Sequence, residues 1–230
     1  MSTTPALLRF DSVSRQFGSR HALSSIGFTL EPGELAFVTG HSGAGKSTLL
    51  RLVLGADKPS QGTVLFRGRN LSTLRRRELP QHRRQVAAVF QDHRLLLDRS
   101  VFDNVALPLR IAGFAEAEIG ARVRSVLARL GLETLAGARP STLSTGEQQR
   151  VGIARAVVGE PALLIADEPT GNLDPQLAQE VMELFASLPE RGTTVLVASH
   201  DLYLIKRMRR RVLVLEQGCL IDDYRPESAP

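Results

Sequence analysis

The chain of 230 residues has one cysteine, Cys219, so no internal disulfide can form. With no Cys/His cluster around it, that lone thiol argues against a zinc site and fits a reducing compartment. No apolar run reaches the roughly 18 residues that a membrane-crossing helix needs. The opening MSTTPALLRF also lacks a basic flank followed by an apolar stretch, so the expectation is a cytosolic or peripheral protein. Lysine is scarce as well: of 29 basic residues only Lys46, Lys58 and Lys206 are lysine, the rest arginine. The net charge of +5 is spread along the whole chain, with local clusters at 75–77, 83–84 and 207–211. Such clusters read as solvated faces, and no nucleic-acid partner is expected.

The residues present are ordered in a recognisable way. ALLRFDSV and then SIGFTL alternate as strands, and EPGE at 31–34 is the turn that follows them, which predicts an antiparallel start. A buried strand LAFVT then runs through GHSGAGKST into the apolar helix LLRLVLG, ended by Gly55. Strand character recurs at VAAVF (86–90), ALLIAD (162–167), TTVLVAS and VLVLE, with helices at about 175–187 and at DLYLIKRMRR. Strands separated by helices imply a parallel sheet covered on both faces. From about 100 to 158 the pattern is helical, with Ile119, Val123, Val126, Leu127 and Leu130 at helical spacing before Gly131. The predicted architecture is therefore α/β, a P-loop core with a parallel sheet, an N-terminal antiparallel β segment and an inserted helical subdomain at about 92–160. One domain is expected over 1–222, with residues 223–230 frayed.

GHSGAGKST, residues 40–48, satisfies G-x-x-x-x-G-K-[ST] between a strand and a helix, the context that the motif requires. Gly40, Gly43 and Gly45 let the backbone of His41, Ser42 and Ala44 curl so that N–H groups point inward, and the helix after Thr48 adds its dipole. Lys46 is placed to meet the β- and γ-phosphates of ATP, and the Ser47 hydroxyl to ligate Mg²⁺. Asp167 and Glu168 end a buried strand, where α/β sheets put their sites; the first suits the metal shell and the second the activation of water. His200 ends another strand and is placed to sense the γ-phosphate. Gln91 ends a third, with an amide in reach of both Mg²⁺ and the attacking water. Phe17, before Gly18, offers a ring to adenine or to the core.

In STLSTGEQQRVGIARAVV (141–158) Ser144 stands at the N-cap of a helix, a second anion site in a chain whose P-loop already holds one nucleotide. One ATP can satisfy both sites if the second comes from another molecule.

The ordered set GHSGAGKST, Gln91, LSTGEQQR, LLIADEP, GNLD and SHD resembles the nucleotide-binding subunits of the ABC ATPase family over essentially the whole chain. The resemblance implies an ATP-dependent, head-to-tail homodimer with two sandwiched nucleotides. In it Ser144 and Gly146 contact the opposite ATP, Asp174 couples the sites, Glu168 is the catalytic base, His200 the switch histidine and Phe17 the adenine-stacking aromatic. Asp174 before Pro175 also reads as an N-cap. The signature departs from the family at Thr145 and Glu147, where a carboxylate near a γ-phosphate repels unless it points away. TGHSGAGKST, FQDH, LLDRSVFDNVALPL and QQRVGIARAVV resemble most the cell-division branch of the family. That implies an FtsX-type membrane partner, a site on the cytoplasmic face of the bacterial inner membrane at the division site, and signalling to cell-wall hydrolases. A lipoprotein-releasing or other ABC transporter subunit is the alternative. The partner's docking surface is expected after Gln91, in DHRLLLDRSVF, with Leu95, Leu96 and Leu97 either exposed for that purpose or buried in a turn.

Overall fold

Residues that alternate between two apolar environments explain the layering. The computed structural model describes residues 5–90, 92, 94–171 and 173–226. Its central strand β3 (Leu35–Thr39) is buried at every position. Successive side chains of a strand point to opposite faces, and here Leu35 and Phe37 join one apolar cluster while Ala36 and Val38 join another. Strands β7 (Leu163–Asp167) and β8 (Thr194–Ala198) divide in the same way, Leu164 and Val197 to one side, Leu163 and Leu196 to the other. Both faces of this sheet are buried, which is why these runs are continuous rather than alternating.

With β6 (Val86–Val89), β9 (Arg211–Glu216) and β10 (Cys219–Tyr224) they form a sheet of order β10-β9-β3-β8-β7-β6, parallel except for the β9–β10 pair. One face is covered by a second, antiparallel sheet of order β2-β1-β4-β5, made from β1 (Leu8–Phe17), β2 (Arg20–Leu30), β4 (Gln61–Phe66) and β5 (Arg69–Asn70). Helix α1 (Lys46–Val53) lies in the same cluster through Leu49, Leu50, Leu52 and Val53. The other face carries α3 (Val101–Ala112), α4 (Glu116–Arg129), α5 (Thr145–Val157) and α6 (Pro175–Ser187). Here Phe185 is fully buried, and of the residues at helical spacing in the sequence Ile119, Val123, Leu127 and Leu130 are buried and Val126 is half-buried. Among the described residues no helix is long and apolar enough to cross a membrane.

Three elements depart from the sequence reading. The frayed tail predicted from 223 instead begins inside a strand: Asp223 pairs with Leu213 and Tyr224 with Val212. Arg211 clamps this edge, with Nη2 at 2.6 Å from Asp223 and Nη1 at 3.2 Å from Glu34. Arg225 adds a contact of 2.8 Å to Glu34, so order reaches past the strand itself. The second departure is α2 (Leu79–Gln85), a short helix in the basic segment, pinned where the buried His82 ring meets the Val53 carbonyl at 2.8 Å. Third, β1 runs on to Phe17 and β2 starts at Arg20, so the first hairpin extends well beyond the two alternating segments.

Candidate functional site

Three neighbouring strands of the parallel sheet, β3, β8 and β7, bring their C-terminal ends together. Val38 pairs with Ala198 and Asp167 also pairs with Ala198, so the residues that follow β3, β7 and β8 are neighbours in space. Gly40, Glu168 and His200 thereby converge where open α/β sheets bind ligands. A cavity of about 910 Å³ opens there, lined by residues Gly40 to Thr48, Phe17, Asp167, Glu168 and His200. That is room for a nucleotide.

The loop is shaped by glycine. Gly40, Gly43 and Gly45 hold φ of 150°, 80° and 112°, a region that side chains other than glycine rarely adopt. Gly45 is also the N-cap of α1 and makes no side-chain cap bond, which leaves the first N–H groups of that helix open to an anion. Lys46 Nζ donates to the Gly40 carbonyl at 2.6 Å and the His41 carbonyl at 3.4 Å, and stands 3.9 Å from Glu168 Oε1. Its charge is held inside the loop and not released to solvent. A Cβ on Gly40 would come within 2.2 Å of the Leu215 carbonyl oxygen, a backbone atom of β9 that cannot step aside alone. Gly40→Ala is therefore expected to cost about 2 kcal/mol or more of stability, read as a lower urea midpoint without nucleotide, and to weaken ATP binding. An unchanged midpoint would show that the loop tolerates a side chain there.

The two carboxylates differ in surroundings. Burial pushes the Asp167 carboxyl above its usual range, while a hydrogen bond from Ser47 acts against that rise. The hydrogen bond brings the Ser47 hydroxyl and the Asp167 carboxylate together, oxygens of the type that hard cations take as ligands. Glu168 holds φ of 48°, a conformation costing on the order of 1–3 kcal/mol for a non-glycine residue. Two bonds hold it there: Glu168 N donates to the Ala198 carbonyl at 2.9 Å, and Gln149 Nε2 donates to the Pro169 carbonyl at 2.8 Å. The strained backbone aims the carboxylate at His200, whose Nδ1 lies 2.8 Å from Oε1 and whose N–H reaches Oε2 at 3.4 Å.

Gln149 was not among the sequence candidates. It is 2 % exposed on the inner side of α5, and it fixes the loop that carries Glu168. A polar side chain on the buried side of an amphipathic helix is the signal that marks it. The Nε2 of its neighbour Gln148 donates to the Leu143 carbonyl at 3.1 Å, a local contact.

Phe17 lines the cavity and is 43 % exposed, which decides against core packing for its ring. Ser144, Gly146 and Asp174 do not line the cavity. Ser144 caps α5, and its N–H and Oγ each reach Glu147 Oε2 at 2.8 Å. Those bonds hold the Glu147 carboxyl below its usual range, so it points back at the cap. Thr145 is the first residue of the helix and does not hold a positive φ, so its side chain asks for no backbone conformation that only glycine adopts. A Cβ on Gly146 would meet Leu173 and Leu177 at 3.5 and 3.6 Å, ordinary contacts, and Asp174 caps α6 by accepting from Leu177 N at 3.0 Å. The signature tip therefore sits beside the start of α6, away from the chain's own phosphate loop. Gln91 lies outside the described residues. Leu95 is half-buried, whereas Leu96 and Leu97 are exposed.

A phosphate loop after β3, a carboxylate pair after β7 and a histidine after β8 define a P-loop nucleoside triphosphatase. The ABC transporter family profile matches residues 23–171. The cell division ATP-binding protein FtsE of Escherichia coli strain K12 is 52% identical over 215 residues, 93% of this chain and 97% of that one. The methionine import ATP-binding protein MetN of Cereibacter sphaeroides is 42% identical over 225 residues, 95% of this chain and 64% of that protein. Among solved structures, the dimeric post-hydrolysis state of the ATP-binding cassette MJ0796, bound to ADP and Pi, superposes with a TM-score of 0.89 at 31% identity. It covers 96% of this chain and 100% of that one. The chain belongs to the ABC transporter family, as one of its Mg²⁺-dependent ATP-hydrolysing subunits.

Proposed function

We propose that this chain is the ATPase subunit of a bacterial cell-division complex, working as a head-to-tail dimer on the cytoplasmic face of the inner membrane. The observation that carries the dimer is the separation of two anion sites in one chain, since Ser144, Gly146 and Asp174 stand apart from the cavity around Lys46. A second copy, turned about, brings its signature tip to the phosphate loop of the first.

In this reading the loop from Gly40 to Thr48 holds the phosphates, and Phe17 supports adenine with its open face. Ser47, Asp167 and Gln91 hold Mg²⁺, which supplies charge neutralisation at the phosphate oxygens. Glu168 takes the proton of the attacking water, and His200 orients that carboxylate through the 2.8 Å contact. Asp174 couples the two sites across the dimer, beyond its capping role. The single domain extends through β10, with 92–160 as its helical insertion.

The membrane partner docks on the loop before α3. Asn104, fully buried, donates to the Leu96 carbonyl at 3.0 Å and accepts from Leu96 N at 2.8 Å, which presents Leu96 and Leu97 outward on a fixed loop. An exposed apolar pair on a rigid support suits a short partner helix. The identity to FtsE supports a partner of the FtsX type and a role in signalling to cell-wall hydrolases at the division site. The likeness to MetN supports the alternative, a transporter or lipoprotein-releasing subunit. Affinity capture of a tagged Glu168→Gln chain from detergent-solubilised membranes with ATP separates them. A four-helix FtsX-type protein is the expected catch; a transport permease in its place overturns the cell-division reading and leaves the ATPase intact.

A further inference from the structure

Phe17 stands at the exposed end of β1, before the turn at Gly18, where little apolar packing holds a ring. What covers it is a cation. The Arg15 guanidinium carbon lies 4.2 Å from the ring centroid, and Arg15 does not line the nucleotide cavity that Phe17 lines. The ring thus carries a guanidinium on one face while Phe17 itself lines the cavity.

Arg15 is itself anchored. Its side chain is 23% exposed, and Nη2 lies 3.9 Å from Asp57 Oδ1. Asp57 in turn is gripped by Arg51, whose Nε lies 2.7 Å from Oδ2 and whose Nη2 lies 3.3 Å from Oδ1. Arg51 is in the last turn of α1, the helix that opens with Lys46. The chain of contacts therefore runs from ring to guanidinium to carboxylate to the far end of the phosphate-binding helix. Arg15 Nε is buried and meets no hydrogen-bond partner among the described residues. An unmet buried donor is unfavourable, and stacking on Phe17 is the contact this position keeps at that cost.

We propose that Arg15 is a positioning residue for the nucleotide base, a flat cationic backing that fixes Phe17 so that its open face meets adenine. The proposal rests on the adenine-stacking reading of Phe17. A guanidinium suits the task because it is planar and weakly hydrated, and so lies flush on a ring, which an ammonium does not. It also draws π density toward itself, leaving the far face better matched to an electron-rich purine. The anchor through Asp57 and Arg51 sets the distance between the base platform and the phosphate loop.

The test is calorimetric binding of Mg-ATP and of Mg-tripolyphosphate, which has no base, to the full chain and to Arg15→Ala, Arg15→Lys, Phe17→Ala and the Arg15→Ala/Phe17→Ala double variant. Arg15→Ala is expected to weaken ATP about 3- to 10-fold and to leave tripolyphosphate within about 2-fold, with KM raised and kcat at saturating ATP retained. Arg15→Lys, which keeps the charge and loses the plate, should fall between, and it carries the test if Arg15→Ala does not fold. The double variant should be no weaker than Phe17→Ala, because the two residues act as one unit. Equal loss for ATP and tripolyphosphate would place the effect on the phosphate loop and overturn the proposal, as would additive losses in the double variant. Weaker ATP binding in Phe17→Ala with none in Arg15→Ala sinks the proposal alone; unchanged binding in Phe17→Ala sinks the platform reading with it.

Discussion

The Glu168→Gln chain is expected to bind ATP at least as tightly as the parent, to hydrolyse it at least about 100-fold more slowly, and to accumulate as a dimer when ATP is present. The geometry gives each part of this result. An amide has the shape of a carboxylate, and its oxygen can still meet His200 Nδ1, now 2.8 Å from Glu168 Oε1. What it lacks is the basicity to take a proton from water. Lys46 Nζ stands 3.9 Å from the same oxygen, so removing that negative charge leaves the ammonium more attractive to phosphate. Binding is therefore retained while the chemical step fails, and unspent ATP keeps the two copies together. Glutamine is the informative replacement because Glu168 sits at φ of 48°. Glycine would relieve that strain and let the loop move, mixing two effects. Size-exclusion chromatography with light scattering, with and without ATP, reads the dimer, and a phosphate-release assay reads turnover. Parent-like hydrolysis would remove Glu168 from the role of base.

The parts of this site that the sequence displayed are those whose chemistry is local. GHSGAGKST carries its own turn, helix start and charge within one segment, and a buried strand that stops at Asp167 marks its own end. The parts that stayed hidden depend on partners far along the chain. β10 has exposed residues at nearly every position because it is an edge strand held by backbone pairing and by Arg211, so no alternation betrays it. α2 buries only His82, which is too little for a periodic signal, and the carbonyl that fixes it belongs to Val53. Gln149 matters through Pro169, and Arg15 through Asp57 and Arg51, pairings that are set by the packing of α1, α5 and the two sheets. The signature illustrates both cases. Its N-cap was visible, but the destination of the Glu147 carboxylate was not: it folds back on Ser144, so the carboxylate that repels phosphate is occupied within its own helix turn.

That arrangement shapes the second large effect. Ser144→Arg is expected to abolish turnover while leaving ATP affinity near the parent value. Ser144 lies outside the cavity around Lys46, so the nucleotide held by the same chain loses no contact. In the proposed dimer the bulk stands instead where the second copy brings its phosphates, against N–H groups that the helix tip offers to an anion. Losing the cap also weakens α5, by about 1 kcal/mol for an N-cap serine. Such a loss is small beside the stability of a domain, but it must be separated from the loss of contact across the dimer. Ser144→Thr makes the separation. Threonine keeps a hydroxyl that can cap the helix and donate to phosphate, so it should preserve a large share of turnover, whereas Ser144→Asn keeps the cap without the hydroxyl and should not. ATP titration by intrinsic binding heat, beside phosphate release, reads the two quantities apart. If Ser144→Arg loses ATP binding and turnover in equal measure, the site is contained in one chain and the shared-site dimer is wrong. If Ser144→Asn matches the parent, the hydroxyl has no part in turnover and the capping bond to Glu147 is its whole role.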